Sequence, residues 1–106
     1  MPKYLARANY VGDGIRGLMA EGGTKRREAV RASLEAVGGT LECFYYAFGD
    51  TDVFGIADLP DEATAAAWSL MVNASGAVSL HLVPLLTPED LDAAAAKSPS
   101  YRAPGR

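Results

Sequence analysis

A lone histidine and the polar residues of the strands predicted around it are the groups best suited to acid–base chemistry. His81 is the only histidine in the chain, and an unperturbed imidazole titrates close to neutral pH. Asn9 and Asp52 fall in neighbouring predicted strands and can orient an imidazole. We therefore predict His81, Asn9 and Asp52 as catalytic residues, with His81 as the general base. The alternative is structural: Asp52 pairs with Arg7 at a subunit interface, and His81 is hydrogen-bonded within it.

A second set of side chains offers stacking surfaces and hydrogen-bonding groups for a small molecule. We expect these residues to line a pocket between the sheet and the helices, next to His81 and Asn9, and to bind a partly aromatic or anionic ligand. The set consists of Tyr4, Arg7, Tyr45, Trp68 and Ser79. For Trp68 the alternative is a place in the core or in an interface.

A basic segment follows two glycines at the predicted start of a helix. Cations at this end oppose the helix dipole, and a bound phosphate or carboxylate would relieve that conflict, because helix N-termini bind anions. We predict an anion-binding site there, although the spacing of a P-loop is absent. Its residues are Thr24, Lys25, Arg26 and Arg27. The alternative is a solvated basic turn that pairs with neighbouring acids.

Composition excludes several classes of function. The chain has 106 residues, which is the size of one domain, and its net charge of −3 gives no general attraction to nucleic acid or to an anionic membrane. A single cysteine, Cys43, excludes an internal disulfide and, with one histidine, an ordinary zinc site of Cys and His ligands, so we predict no metal. The charged start and the lack of a long apolar run predict a cytoplasmic protein without a signal peptide or membrane helix.

The elements that must position these residues follow the order β-α-β-β-α-β with a short final helix. We expect strands at residues 3–10, 41–48, 52–59 and 77–86. We expect helices at residues 24–37 and 61–75 and a short final helix at 91–97. Asp13 can cap a short helical turn before them. In the helix at 24–37, Val30, Leu34 and Val37 form the apolar stripe, with Ala29 and Ser33 beside it. The predicted N-caps are Thr24, Asp61 and Thr87. Two crossovers and one hairpin give a ferredoxin-like α+β fold, with an antiparallel four-stranded sheet and helices on one face.

The sheet face without helices is predicted to be apolar. Strict alternation puts Phe44 and Tyr46 on that face together with Phe54 and Ile56, and puts Leu41 on the opposite face. Such a face would be bare in a monomer. We therefore expect a homodimer or larger homo-oligomer whose sheets face each other, as in a dimeric α+β barrel.

The helix at residues 61–75 carries more apolar surface than one sheet face needs. We expect a stripe of mostly small residues to lie against the sheet, whereas Trp68, Met71 and Val72 point partly elsewhere. The stripe consists of Ala63, Ala66, Ala67, Leu70 and Ala74.

Seven segments, distributed over most of the chain, form a recognisable pattern. They are Lys3-Tyr4-Leu5, residues 21–30 (EGGTKRREAV), Gly38-Gly39 with the aromatic strand after it, residues 48–53 (FGDTDV), Leu59-Pro60-Asp61, Ala74-Ser75-Gly76-Ala77 and Leu86-Thr87-Pro88-Glu89. This pattern resembles the GYD-domain family of small bacterial proteins, which implies the fold and the dimer predicted above. The segment that names the family is here Gly49-Asp50-Thr51-Asp52, with Thr51 where the family has tyrosine. We predict a single domain over residues 1–97 and a polar tail at 98–106.

The GYD-domain family is uncharacterised in function, so the resemblance implies fold and assembly rather than an activity. We expect a homo-oligomer that binds a small aromatic or anionic molecule between sheet and helices and needs no cofactor. One alternative is a cofactor-independent oxygenase or isomerase with His81 as the general base, and another is a structural oligomer without activity. Asn9, Trp68 and His81 also resemble, in type and order, residues of haem-degrading monooxygenases of the dimeric α+β barrel superfamily, but no local motif accompanies them.

Overall fold

The computed structural model describes residues 1–106 and contains four strands and four helices. In chain order they are β1 (Lys3–Tyr10), α1 (Gly14–Glu21), α2 (Gly23–Ala36), β2 (Thr40–Tyr46), β3 (Val53–Asp58), α3 (Glu62–Ala74), β4 (Val78–Leu85) and α4 (Pro88–Ala96). The predicted order of elements is confirmed. The short turn predicted after Asp13 is a full helix, α1, which precedes α2.

The four strands form one sheet in the order β2-β3-β1-β4, and every neighbouring pair is antiparallel. This order fits the ferredoxin-like fold that the sequence predicted, with β1 between β3 and β4. Helices α2 and α3 cover one face of the sheet, which we call the helix face; the other we call the open face. The cluster of buried residues lies between the helix face and these two helices.

The core is small and centred on two fully buried leucines. Leu34 of α2 and Leu59, just after β3, are both 0% exposed. Val30 and Val37 pack beside them, which confirms the apolar stripe predicted for α2. The other buried members of the cluster are Tyr4, Ala57, Ala65, Trp68 and Leu80.

The helix starts test the predicted N-caps individually. Asp61 Oδ1 accepts a hydrogen bond from the backbone N–H of Thr64 at 2.7 Å, and Thr87 forms a reciprocal capping box with Asp90. Both predictions are confirmed. The prediction for Thr24 is wrong, because α2 already begins at Gly23, so that Thr24 lies inside the helix. Its N-cap is Gly22, whose φ of +92° is a conformation that glycine adopts without strain.

A β-bulge in β2 changes the faces predicted for this strand. Leu41 pairs with Ala57, but Cys43 pairs with Ile56, so Glu42 is an extra residue on the β2 side. Leu41 therefore lies on the helix face. The carboxylate of Glu42 accepts a hydrogen bond from Lys3 Nζ at 2.6 Å, which links the bulge to β1.

The bulge also corrects the predicted composition of the open face. The sequence placed Phe44 and Tyr46 there, but in the register after the bulge they align with Gly55 and Val53 on the helix face. Tyr45 takes their place, aligned with Phe54 on the open face, and Cys43 aligns with Ile56. The prediction of an apolar open face stands with these different residues.

Helix α3 packs on the sheet through a different side from the one predicted. Ala65 and Trp68 are buried at 4% and 3% exposure, and Val72 packs beside them, whereas Leu70 is 72% exposed. The stripe predicted from Ala63, Ala66, Ala67, Leu70 and Ala74 faces away from the core. The reason is the indole of Trp68, which buries far more apolar area than an alanine.

The chain continues beyond the sheet as an exposed helix. Every residue of α4 is exposed, including Leu91 at 62%. None of the helices is both long enough and apolar enough to span a membrane.

Candidate functional site

A cavity of about 320 Å³ lies between the helix face of the sheet and helices α2 and α3. Small residues of the central strands form its floor and leave room where larger side chains would fill the space. They are Ala6, Ala8, Gly55 and Ala57. Gly55 is required for a further reason, because a Cβ atom there would lie 3.0 Å from the carbonyl oxygen of Cys43. The cavity therefore results from the small size of the side chains that β1 and β3 place on the helix face.

The helical side of the cavity is apolar because its polar atoms bind one another. The indole Nε1 of Trp68 donates a hydrogen bond to Ser33 Oγ at 2.9 Å. The hydroxyl of Ser33 in turn donates to the carbonyl oxygen of Val30 at 2.7 Å. These bonds fix the indole between α2 and α3 and satisfy the buried polar atoms there. A molecule inside the cavity would meet Val30, Leu34 and Val72 beside this pair.

A cleft of about 460 Å³ beside α1 adjoins the cavity. Four residues line both spaces, and we call them the cavity mouth: Tyr10, Arg26, Ser75 and Val78. Close packing of α1 on the start of β4 shapes this cleft, since a Cβ atom on Gly14 would lie 2.1 Å from the carbonyl oxygen of Ala77. The mouth thus joins an apolar interior to a more polar surface.

Two polar groups at the mouth, Arg26 and Tyr10, can face a ligand, and each is a hydrogen-bonding neighbour of the other, with Tyr46 beside Tyr10. The hydroxyl of Ser75 is engaged with the carbonyl oxygen of Val72 at 2.7 Å. Arg26 contacts an acid at only one point, with its Nη1 3.9 Å from Glu21 Oε2. Burial and the neighbouring Tyr46 raise the pKa of Tyr10 to about 12, against the opposing effect of Arg26. The Tyr10 phenol is therefore protonated at neutral pH and can donate.

Tyr46 connects the mouth to the start of α2. Its hydroxyl donates a hydrogen bond to the carbonyl oxygen of Gly23 at 2.9 Å. A Cβ atom on Gly23 would lie 3.0 Å from the Tyr46 ring, so glycine permits this close approach. The contact holds the first turn of α2, and Arg26 with it, against the end of β2.

Two of the three predicted catalytic residues hold the β2–β3 hairpin against β1. Asn9 Oδ1 accepts a hydrogen bond from the backbone N–H of Asp52 at 2.9 Å. Asp52 Oδ2 accepts one from the backbone N–H of Tyr10 at 3.0 Å. Their side chains are thus occupied with backbone groups, and Asp52 does not form the predicted alternative pair with Arg7. His81 is exposed on the open face, in register with Arg7.

The residues predicted to line one pocket lie on both faces of the sheet. Trp68 lines the cavity, and Tyr4 is buried in the core at 6% exposure. Arg7, Tyr45 and Ser79 are on the open face. Successive residues of a strand point to opposite faces, so these two groups lie on opposite sides of the sheet. Tyr4 and His81 nevertheless both line a cleft of about 1180 Å³ along the edge strand β4. Asn9, Trp68 and His81 are divided in the same way, which separates the set that resembled haem-degrading enzymes.

The open face carries a row of four side chains in register across the sheet. They are Tyr45, Phe54, Arg7 and His81, one from each strand. None of the ion pairs in the chain includes Arg7. The next row is apolar and consists of Cys43, Ile56, Leu5 and Val83. This face combines apolar surface with one unpaired cation.

The predicted anion-binding residues point in different directions. Arg26 faces the cavity mouth, whereas Thr24 and Lys25 are exposed on the surface. Arg27 pairs with Glu28 at 3.3 Å. The four residues therefore do not surround a common point, and only Arg26 adjoins a cavity. No group of three or more His, Cys, Asp or Glu side chains is placed to hold a metal ion.

Comparison with known families gives one result that covers most of the chain. The model of the GYD domain matches residues 4–95. The chain belongs to the GYD domain family. Comparisons with curated proteins and with solved structures gave no significant match. The matched region includes every strand and helix apart from the first residue of β1 and the last residue of α4.

The segment that names the GYD domain family forms the turn between β2 and β3. Gly49 has a φ of +148°, and Thr51 is half-buried. Asp52 ends the turn with the two hydrogen bonds described above. In this GYD domain the segment therefore holds the hairpin in place next to Tyr10.

Sequence reasoning missed Tyr10, Ser33 and Tyr46 as residues of the site. For Tyr10 a signal was present, because alternation in β1 places it on the same face as Ala6 and Ala8. Tyr46 was missed because the bulge moves its side chain to the helix face, whereas strict alternation places it on the open face. Ser33 was recognised only as a small neighbour of the α2 stripe, and its role depends on Trp68, which is distant in sequence.

Proposed function

We propose that this GYD-domain protein binds a small, mainly apolar molecule in the cavity between the sheet and helices α2 and α3. The supporting observation is the cavity itself. Its volume of about 320 Å³ falls in the range of small-molecule sites, roughly 300–1,000 Å³. Protein interiors rarely leave an apolar space of this size between well-formed elements, because the surrounding atoms lose dispersion contacts.

The arrangement of the lining supports binding over a simple packing defect. The floor is built from four small residues on two neighbouring strands, and the polar atoms of Trp68 and Ser33 are satisfied by each other. A cavity that is apolar and rigid on its sheet side has the usual properties of a ligand site. The predicted position between sheet and helices thus agrees with the cavity, although most of the predicted lining residues lie elsewhere.

The same proposal includes a homodimer formed by two open faces. Helices α2 and α3 leave this face uncovered, and Phe54, Val83 and Leu85 are each 37% exposed there, with Tyr45 at 69%. Two sheets pack face to face at a spacing of about 10 Å and bury such rows of side chains. A second copy of the chain has the matching surface, because a two-fold interface pairs one patch with itself.

The ligand proposal is tested by filling the cavity from its floor. Ala8→Leu places a larger side chain into the space, whereas Ala67→Leu adds the same atoms on the exposed side of α3. With toluene as the probe, we expect NMR shifts at cavity residues in the wild type and in Ala67→Leu, and none in Ala8→Leu. Toluene shifts that persist unchanged in Ala8→Leu would contradict the proposal.

The catalytic hypothesis for His81 stays a prediction. Its imidazole is on the open face, and the carboxylate predicted to orient it is bound to the backbone of Tyr10 instead.

A further inference from the structure

We propose that the ligand of this cavity is a small amphiphilic carboxylate, with its apolar body inside the cavity and its carboxylate at the mouth between Arg26 and Tyr10. This inference rests on the proposed function and adds the chemical class of the ligand. It follows from the distribution of polar groups around two adjoining spaces, the apolar cavity and the outer cleft, which share the four mouth residues.

The interior offers nothing to a polar group. The Nε1 of Trp68 and the hydroxyl of Ser33 are bound to each other, and the rest of the floor and of the helical side is apolar. A charged or strongly polar atom inside would lose its hydration without gaining a hydrogen bond, which is costly. The polar part of a ligand is therefore expected at the mouth, where Arg26 and Tyr10 lie, and the apolar part inside.

The mouth favours an anion over a cation. Arg26 is always charged, and its contact with Glu21 at 3.9 Å is longer than the roughly 2.7–2.9 Å of a charge-assisted hydrogen bond. The guanidinium can therefore donate shorter hydrogen bonds to the carboxylate of a ligand. Its side chain is 32% exposed, so a carboxylate there keeps part of its contact with water. Burial of a full charge is thus avoided.

Tyr10 adds a second donor from the opposite wall of the mouth. Arg26 comes from the first turn of α2 and Tyr10 from the end of β1, so the two groups approach the opening from the helix and from the sheet. Because the Tyr10 phenol keeps its proton at neutral pH, it donates to an anion and does not repel it. A carboxylate has two oxygens and can accept from both residues.

A matched pair of probes separates charge from shape. Phenylacetate and phenylacetamide have nearly the same size, but only the first is an anion. We expect NMR titrations to show the wild type binding phenylacetate about tenfold more tightly than the amide, as for a hydrogen bond to a charged group. In Arg26→Gln this ratio should fall to about one, with the affinity for the amide unchanged. Arg16→Gln removes the same charge from an exposed site on α1 and should keep the wild-type ratio.

A second variant gives an effect of opposite sign. Glu21 is the acid that contacts Arg26, and it competes with the carboxylate of a ligand. Glu21→Gln should therefore strengthen the binding of phenylacetate by about two- to threefold, the size expected for a partly exposed ion pair, and leave phenylacetamide unchanged. Tyr10→Phe should weaken phenylacetate binding and also leave the amide unchanged.

The outcomes distinguish this inference from the proposed function. Equal affinities for acid and amide, or binding of toluene alone, would overturn the carboxylate assignment and leave the cavity as a site for neutral molecules. A preference for phenylacetate that survives in Arg26→Gln would also overturn it. If toluene, phenylacetate and phenylacetamide all fail to shift the cavity residues, both proposals are wrong.

Discussion

Replacing Phe54 by lysine tests the homodimer at the centre of the open face. Phe54 lies on the central strand β3, between Tyr45 of β2 and Arg7 of β1 in the same row. It is 37% exposed in the single chain, and its ring faces away from the core. The substitution removes an apolar contact from the proposed interface and adds a cation next to Arg7. The core of each subunit is untouched.

The size of the effect follows from the exposed part of the ring. An aromatic side chain has about 200 Å² of accessible surface, so the 37% that remains exposed on Phe54 amounts to roughly 70 Å². At about 25 cal/mol per Å² its burial contributes roughly 2 kcal/mol. Both copies of a two-fold dimer lose this contribution, which gives about 4 kcal/mol, or roughly a thousandfold in Kd.

Sedimentation equilibrium over a range of protein concentrations measures the change in Kd. Phe48→Lys is the matched control, because Phe48 is fully exposed in the β2–β3 turn, outside the strands of the sheet. We expect this control to associate like the wild type, and circular dichroism to show the same fold in all three proteins. An unchanged Kd in a well-folded Phe54→Lys would refute the proposal that the open faces form the dimer.

Two further predictions concern stability. Trp68→Phe should lower the free energy of unfolding in urea by about 1–3 kcal/mol, because it removes buried area and the bond to Ser33. The loss of unfolding free energy in the double variant Trp68→Phe/Ser33→Ala should be smaller than the sum of the losses in the two single variants. Equality with that sum would argue against a coupling between the indole and the hydroxyl. The backbone N–H of Thr64 holds the pKa of Asp61 below its ordinary value of 3.8. A carboxylate whose pKa is lower in the folded than in the unfolded chain stabilises the fold at pH values above its unfolded pKa, and this stabilisation is lost as the pH falls through its folded pKa. Asp61→Ala should therefore lower Tm near neutral pH, and the difference in Tm from the wild type should shrink below about pH 4. A difference in Tm that does not depend on pH would contradict this.

The parts of the fold that could be predicted depend on local physics. The carboxylate of Asp61 and the hydroxyl of Thr87 bind N–H groups three residues ahead, so their role as caps can be deduced from a short segment. The alternation in β1 and the spacing in α2 are equally local, and both were confirmed. The topology followed because few connections are possible between elements in this order.

The sheet face on which each side chain of β2 lies could not be predicted, because it depends on one inserted residue. Side chains alternate with a period of two, so one inserted residue reverses every later position on the strand. Glu42 is that residue, and the group that its carboxylate contacts, Lys3 Nζ, lies on another strand. Nothing within residues 40–46 distinguishes the bulged register from the regular one. This error moved Tyr46 away from the cavity mouth in the prediction.

The side of α3 that packs on the sheet was predicted wrongly for a related reason. A helix with alanine on several sides has no unique apolar stripe, so the pattern alone cannot choose the buried face. Trp68 decides it through its buried area and through a hydrogen bond to Ser33 on α2, 35 residues away. The candidate site therefore depends on contacts between elements, whereas sequence patterns report mainly on each element alone.

The hairpin turn that names the family is also connected to the cavity. Asp52 binds the backbone N–H of Tyr10, and Asn9 binds the backbone N–H of Asp52. Because β3 begins only at Val53, the carboxylate of Asp52 takes the place of a strand partner for Tyr10 and fixes the end of β1. Tyr10 is a mouth residue, so the turn holds one wall of the opening. Neither hydrogen bond involves the side chain of Thr51, so the link between the turn and the mouth depends on Asp52 and Asn9.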